Sequence, residues 1–71
     1  MDVRVRIGLN VQRLRRGKDW SQEELAERAD VHQTYLSGVE RGKRNASVLV
    51  LDRIAKALGV DVEEFFKKRR S

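Results

Sequence analysis

The chain predicts an all-α fold of five short helices, and three observations lead there. It contains no proline, and the strong helix formers Ala, Leu, Glu, Arg and Lys dominate it. Its apolar residues recur at helical spacing, as at Ile7, Val11 and Leu14. Residues that start or stop helices, among them Ser21, Asp30, Gly42, Ser47 and Gly59, stand at the breaks between those stretches.

The first helix carries Ile7, Val11 and Leu14 on one face and ends near Gly17, where glycine can adopt the left-handed cap conformation. Trp20 plugs the junction that follows. Ser21-Gln22-Glu23-Glu24 is a capping box: the Ser21 hydroxyl accepts from the Glu24 N–H, and the Glu24 carboxylate reaches back to the Ser21 N–H. The second helix therefore runs from about Gln22 to near Ala29. Asp30 tolerates the left-handed region better than most residues, and Val31 turns inward after it. The third helix spans about Gln33 to Arg41 and is capped by Gly42. After the polar connection Lys43 to Ala46, Ser47 caps a fourth helix, Val48 to Leu58, closed by Gly59. A fifth, Val62 to about Lys67, lays Val62 and Phe65 on the core, and Lys67 to Ser71 reads as a frayed basic end.

Seventy-one residues suffice for one domain, 1–71, with its core over about 7–66 and a basic tail at 67–71. So small a core needs helix packing, a staple or a partner to hold it. There is no Cys and only one His, which excludes disulfides, thiolate metal sites and a zinc cluster. No nucleophile and base pair and no phosphate-cradling glycine loop can be assembled. We expect no enzyme, no catalytic or metal residue, no cofactor and no small-molecule ligand. No apolar run approaches the about 20 residues of a membrane span, and the first residues lack a basic segment leading into an apolar one. A cytoplasmic location is the expectation.

The net charge is +5 with pI near 10.2, and positive charge gathers in residues 1–20, 31–46 and 65–71. An anionic partner fits that distribution. Helices two and three, joined by the tight corner at Asp30, form a helix-turn-helix. Gln33, Thr34, Ser37, Gly38 and Arg41 share the face of helix three opposite Leu36 and Val39. An amide, two hydroxyls and a guanidinium on one outward face are groups that read bases and grip phosphates. The Gln33 amide offers the donor and acceptor that match adenine in the major groove. Double-stranded DNA is the expected partner. On helix four, Leu49 and Val50 lie beside a stripe already filled by Leu51, Ile54, Ala55 and Leu58. With Val62 and Phe66 they would form a two-fold interface, and a homodimer would read half-sites about 34 Å apart.

The stretch Trp20-Ser21-Gln22-Glu23-Glu24-Leu25-Ala26, then Glu40-Arg41-Gly42-Lys43-Arg44-Asn45, then Arg53-Ile54-Ala55-Lys56-Ala57-Leu58-Gly59-Val60, resembles the XRE family of Cro and phage-repressor-type domains. The likeness covers roughly Ile7 to Phe66 and extends to the small controller proteins of restriction-modification systems. It implies a lambda-repressor-like fold and a dimeric transcriptional regulator bound to a pseudo-palindromic operator. It also implies residue roles: Gln33, Thr34 and Ser37 as base readers, and Ser21, Gln22, Tyr35, Arg41, Lys43 and Arg44 as phosphate contacts. Arg15 and Glu40 fall where the family places an ion pair between helices one and three. Five residues depart from the pattern: Asp30 where glycine is commonest, His32 where a short polar cap is usual, Gly38 where a base-contacting side chain is common, and Leu49 and Val50 where a polar pair usually opens helix four. The alternatives are a protein-binding adaptor or antitoxin-type module on the same fold, and a binder without sequence preference. Gln33, Thr34 and Ser37 argue against the last, which would carry Lys and Arg there.

Overall fold

The computed structural model describes residues Asp2 to Lys68. Among the described residues four α-helices and a 3-10 turn follow one another: α1 (Val3–Gly17), α2 (Gln22–Ala29), α3 (Gln33–Glu40), α4 (Val48–Leu58) and the 3-10 segment Val62–Phe66. The expected fifth α-helix is thus corrected to a 3-10 turn. Only five residues lie between the Asp61 cap and Lys67, whose backbone is already extended. So short a run closes with the tighter i to i+3 bond, Glu64 N–H to the Asp61 carbonyl at 3.0 Å.

Helix α1 begins a full turn before Ile7 because Asp2 caps it. The Asp2 carboxylate accepts from the Arg4 N–H at 2.8 Å and from the Arg4 guanidinium at 2.7 Å. At its other end the left-handed residue is Asp19 (φ 59°) and not Gly17, which stays helical. This corrects the expected glycine cap. The Asp19 turn brings the Trp20 N–H back to the Arg15 carbonyl. The other caps form at Ser21, Asp30, Ser47 and Gly59. Only half of the capping box closes, since the Glu24 carboxylate pairs with Arg28 one turn on and not with the Ser21 N–H. Of the expected basic end, Lys67 and Lys68 are exposed, while Arg69, Arg70 and Ser71 lie outside the described residues.

The core is filled by Val11, Leu25, Leu36, Val39, Leu51, Ile54, Leu58 and Phe65, all essentially without exposure. Each such side chain contributes about 1.5–3 kcal/mol on leaving water. Two residues of α1 determine how the other elements dock. Gly8 lies against the end of α3 so closely that a methyl group there would sit 2.5 Å from the carbonyl oxygens of both Val39 and Glu40. Asn10, fully buried, donates its amide to the Phe65 and Lys67 carbonyls at 2.8 and 2.9 Å. That double bond satisfies a buried amide and fastens the 3-10 turn to α1.

Candidate nucleic-acid interface

The corner between α2 and α3 is built from backbone geometry first. Asp30 takes the left-handed conformation (φ 57°, ψ 50°), and the Val31 N–H bonds the Ala26 carbonyl at 2.9 Å. The Arg53 guanidinium from α4 donates to the Ala29 carbonyl at 3.1 Å and to the Asp30 carbonyl, closing the end of α2. Val31 turns in against the core, and α3 starts at His32, which makes no side-chain capping bond.

A network of three side chains holds α3 to the rest. The Arg15 guanidinium donates to Glu40 through Nε (2.7 Å) and Nη2 (2.9 Å), and through Nη1 to the Trp20 carbonyl (2.8 Å). Gln22 Nε2 donates to the same Glu40 carboxylate at 3.0 Å. Side-chain exposure is 9 % for Arg15 and 0 % for Glu40. Hydrogen bonding to Glu40 raises the Arg15 pKa above its ordinary value, so the guanidinium keeps its charge at every physiological pH. One carboxylate therefore ties α1, α2 and the junction at Trp20 to the last residue of α3. Arg28 and Lys18 lie over the Trp20 ring, 4.3 and 5.3 Å from its centroid.

On the face turned away from Leu36 and Val39, Gln33 and Thr34 are exposed and Ser37 is half-buried. Arg41 is exposed, its Nε donating to the Ser37 carbonyl at 3.3 Å. Past α3 the chain reverses through Gly42 (φ 73°), with the Lys43 N–H on the Gly38 carbonyl at 2.9 Å. Lys43 and Arg44 are thereby presented at the end of the same face, Arg44 lying 5.5 Å from the Tyr35 ring centroid. Tyr35 is half-buried against the core. At the start of α2, the Ser21 oxygen accepts from the Glu24 N–H, and Gln22 is the half-buried partner of Glu40. The four residues expected at a two-fold interface differ in exposure. Leu49 is 79 % exposed, whereas Val50 is half-buried in a shallow cleft with Val31, Tyr35 and Arg53. Val62 packs on the core, and Phe66 joins Val48, Val3, Ile7 and Leu51 around a groove of about 190 Å³.

An exposed polar face on α3, flanked by basic residues and anchored by a buried ion pair, is the arrangement of a helix that enters a groove of DNA. Residues 11–65 match the family model described as helix-turn-helix. The chain belongs to the XRE-type helix-turn-helix family. It is 41% identical over 66 residues to the control protein C.MunI of Mycoplasma sp, covering 92% of this chain and 89% of that one. It is 50% identical over 60 residues to the uncharacterised HTH-type transcriptional regulator y4dJ of Sinorhizobium fredii, covering 84% and 78% of the two chains. The crystal structure of the restriction-modification controller protein C.AhdI from Aeromonas hydrophila superposes with a TM-score of 0.86 at 38% identity, over 89% of this chain and 96% of that one. As a member of this XRE-type family the chain is a helix-turn-helix transcriptional regulator.

Several residues that shape the interface escape a reading of the sequence. Gly8 reads as an ordinary helix position, and only the Val39 and Glu40 carbonyls beside it show why it has no side chain. Arg53 reads as one more surface charge until α4 crosses the end of α2. Asn10 did leave a signal, a short amide one residue before Val11 on the face that faces the core.

Proposed function

We propose that this regulator binds double-stranded DNA as a homodimer on a pseudo-palindromic operator, with Gln33, Thr34 and Ser37 reading base edges. Ser21, Gln22, Tyr35, Arg41, Lys43 and Arg44 take the flanking phosphates. The observation that carries this reading is the Arg15–Glu40–Gln22 network, which braces a helix whose Gln33 and Thr34 side chains stand exposed. Bracing of that kind lets exposed side chains meet a groove without first being ordered. Two-fold contact runs through the exposed apolar residues Leu49 and Phe66, to which the groove adds Val48 and Val3. Relatives named as control proteins and a structural neighbour named as a restriction-modification controller protein support controller activity in such a system.

The test is selection of bound sequences from random duplex DNA at about 150 mM salt, with the mass of the complex determined. A palindromic consensus carrying two chains is the expected result. Salt-sensitive binding without a consensus would remove the base readers, and no binding at all would leave a protein-binding adaptor in their place. For the controller reading, the consensus is expected beside genes for a restriction endonuclease and its methyltransferase.

A further inference from the structure

We propose that Gly38 is a positioning residue: the side chain it lacks leaves a seat in which Arg44 lies along α3, so that the loop supplies the side chain missing from the reading face. This inference rests on the DNA-binding reading above. A methyl group at Gly38 would lie 2.6 Å from Arg44 Cγ, 3.4 Å from Nε and 3.6 Å from Cδ. Three atoms of the Arg44 side chain thus fill the space that a side chain at position 38 would enter. The guanidinium ends beside Tyr35, 5.5 Å from the ring centroid, where a cation is attracted to the ring face.

The backbone is arranged to deliver this contact. The Lys43 N–H bonds the Gly38 carbonyl at 2.9 Å, and Gly42 supplies the left-handed turn that makes the reversal possible. Arg44 returns over the helix one residue later. Glycine is a poor helix former, and at an exposed position of an eight-residue helix any residue but proline would serve α3 better. Yet Gly38 is buried, and the atoms that cover it include those of Arg44.

Gly38 stands one turn beyond Thr34 on the outward face, so the seated guanidinium occupies the neighbourhood a side chain at position 38 would have filled. It brings five donors in a planar fork, suited to a phosphate or to a guanine edge. An arginine already held against a helix and a ring loses less freedom on binding than one that samples all its rotamers. Any side chain at 38 displaces the Cγ, which is near the base of Arg44 and not its flexible tip.

The experiment is a double-mutant cycle of Gly38→Ala and Arg44→Ala, reading affinity for a duplex carrying the selected consensus and for a random duplex, together with thermal unfolding. Each single variant is expected to weaken binding about 10-fold, and the double variant to bind no worse than Arg44→Ala alone. A salt slope reduced by about one unit identifies a phosphate as the partner. An unchanged slope with one base preference lost identifies a guanine edge. In the free protein, an NMR cross-peak between Gly38 Hα and Arg44 Hγ is expected. If Gly38→Ala lowers melting the cycle is still readable, because in the Arg44→Ala background the clash is gone. Additive losses, full affinity of Gly38→Ala, or absence of the cross-peak would each overturn the seat. Wild-type protein that ignores duplex DNA at about 50 mM salt would instead overturn the DNA reading beneath it.

Discussion

Arg15 on α1 and Glu40 at the end of α3, 25 positions apart, meet in a bidentate pair shielded from water, and Gln22 of α2 shares the carboxylate. The orientation of α3 therefore depends on this pair as well as on Leu36 and Val39 in the core. Two buried charges that satisfy each other contribute little net stability, but removing one strands the other. Arg15→Ala is expected to destabilise the protein by about 3–5 kcal/mol, and Glu40→Gln by less, because an amide oxygen in the place of Oε1 still accepts from Gln22 and Arg15 Nη2 and only the bond from Arg15 Nε is lost. Urea unfolding of the two variants checks the order. Equal and small losses would show that the pair is solvated and that α3 is held by the core alone.

Gly8 tests the packing that places α3. Alanine there improves the helix by about 1 kcal/mol, yet its methyl would meet two backbone oxygens that cannot move without separating α1 from α3. The expected outcome is a net destabilisation of about 2 kcal/mol by chemical denaturation. A gain in stability would mean that the helices part at no cost.

Much of this fold was legible because its boundaries are local chemistry. Ser21, Asp30, Ser47 and Gly59 act within one turn of where they stand, so α2 and α4 begin and end where caps and turns require. Gly17 misled because glycine permits the left-handed cap without demanding it; α1 continues to Gly17, and Asp19 makes the turn. The last helix was misread because its period could not reveal that the Asp61 cap and the extended Lys67 leave too few residues. At the candidate interface, the outward face of α3 followed from helical period alone. What holds that face did not, since Gly8 against Val39, Arg53 over Ala29 and Arg44 over Gly38 join distant or looped-back segments. Arg15 with Glu40 was suggested only by family resemblance, because no local spacing links them.

The Asp2 cap gives the first turn of α1 a pH dependence. Hydrogen bonds from Arg4, side chain first and then backbone, lower the Asp2 carboxyl from 3.8 to about 2. A carboxyl depressed by folding stabilises the folded form above its unfolded value and loses that contribution as pH falls through its folded value. The turn is thus expected to hold down to pH 4 and to fray as pH drops towards about 2. The Arg4 amide resonance should titrate with that low midpoint. A midpoint near the ordinary aspartate value would show that the cap is not formed in solution.

The proposed two-fold contact makes the exposed Leu49 and Phe66 decisive. Leu49→Glu would set two carboxylates into an apolar interface, and dimerisation is expected to weaken at least about 100-fold, with monomer melting unchanged because the side chain touches no core. Sedimentation across a concentration series measures this. A wild-type chain that stays monomeric at high micromolar concentration would remove the dimer.

Base reading and phosphate gripping differ in what they do to sequence preference, and Gln33 and Lys43 separate them. Gln33 is exposed on the outward face of α3, so Gln33→Ala leaves the fold intact while removing an amide that can pair with adenine. Its expected cost is about 1–3 kcal/mol on the selected operator and little on random DNA, with one base position relaxed. Lys43 lies in the reversal after α3, where an ammonium reaches backbone oxygens that carry no sequence. Lys43→Ala should weaken both duplexes by the same factor and reduce the salt slope by about one unit. Parallel titrations of both variants on both duplexes decide the matter. Equal losses on operator and random DNA for Gln33→Ala would put Gln33 on the backbone and leave Thr34 and Ser37 to read the bases.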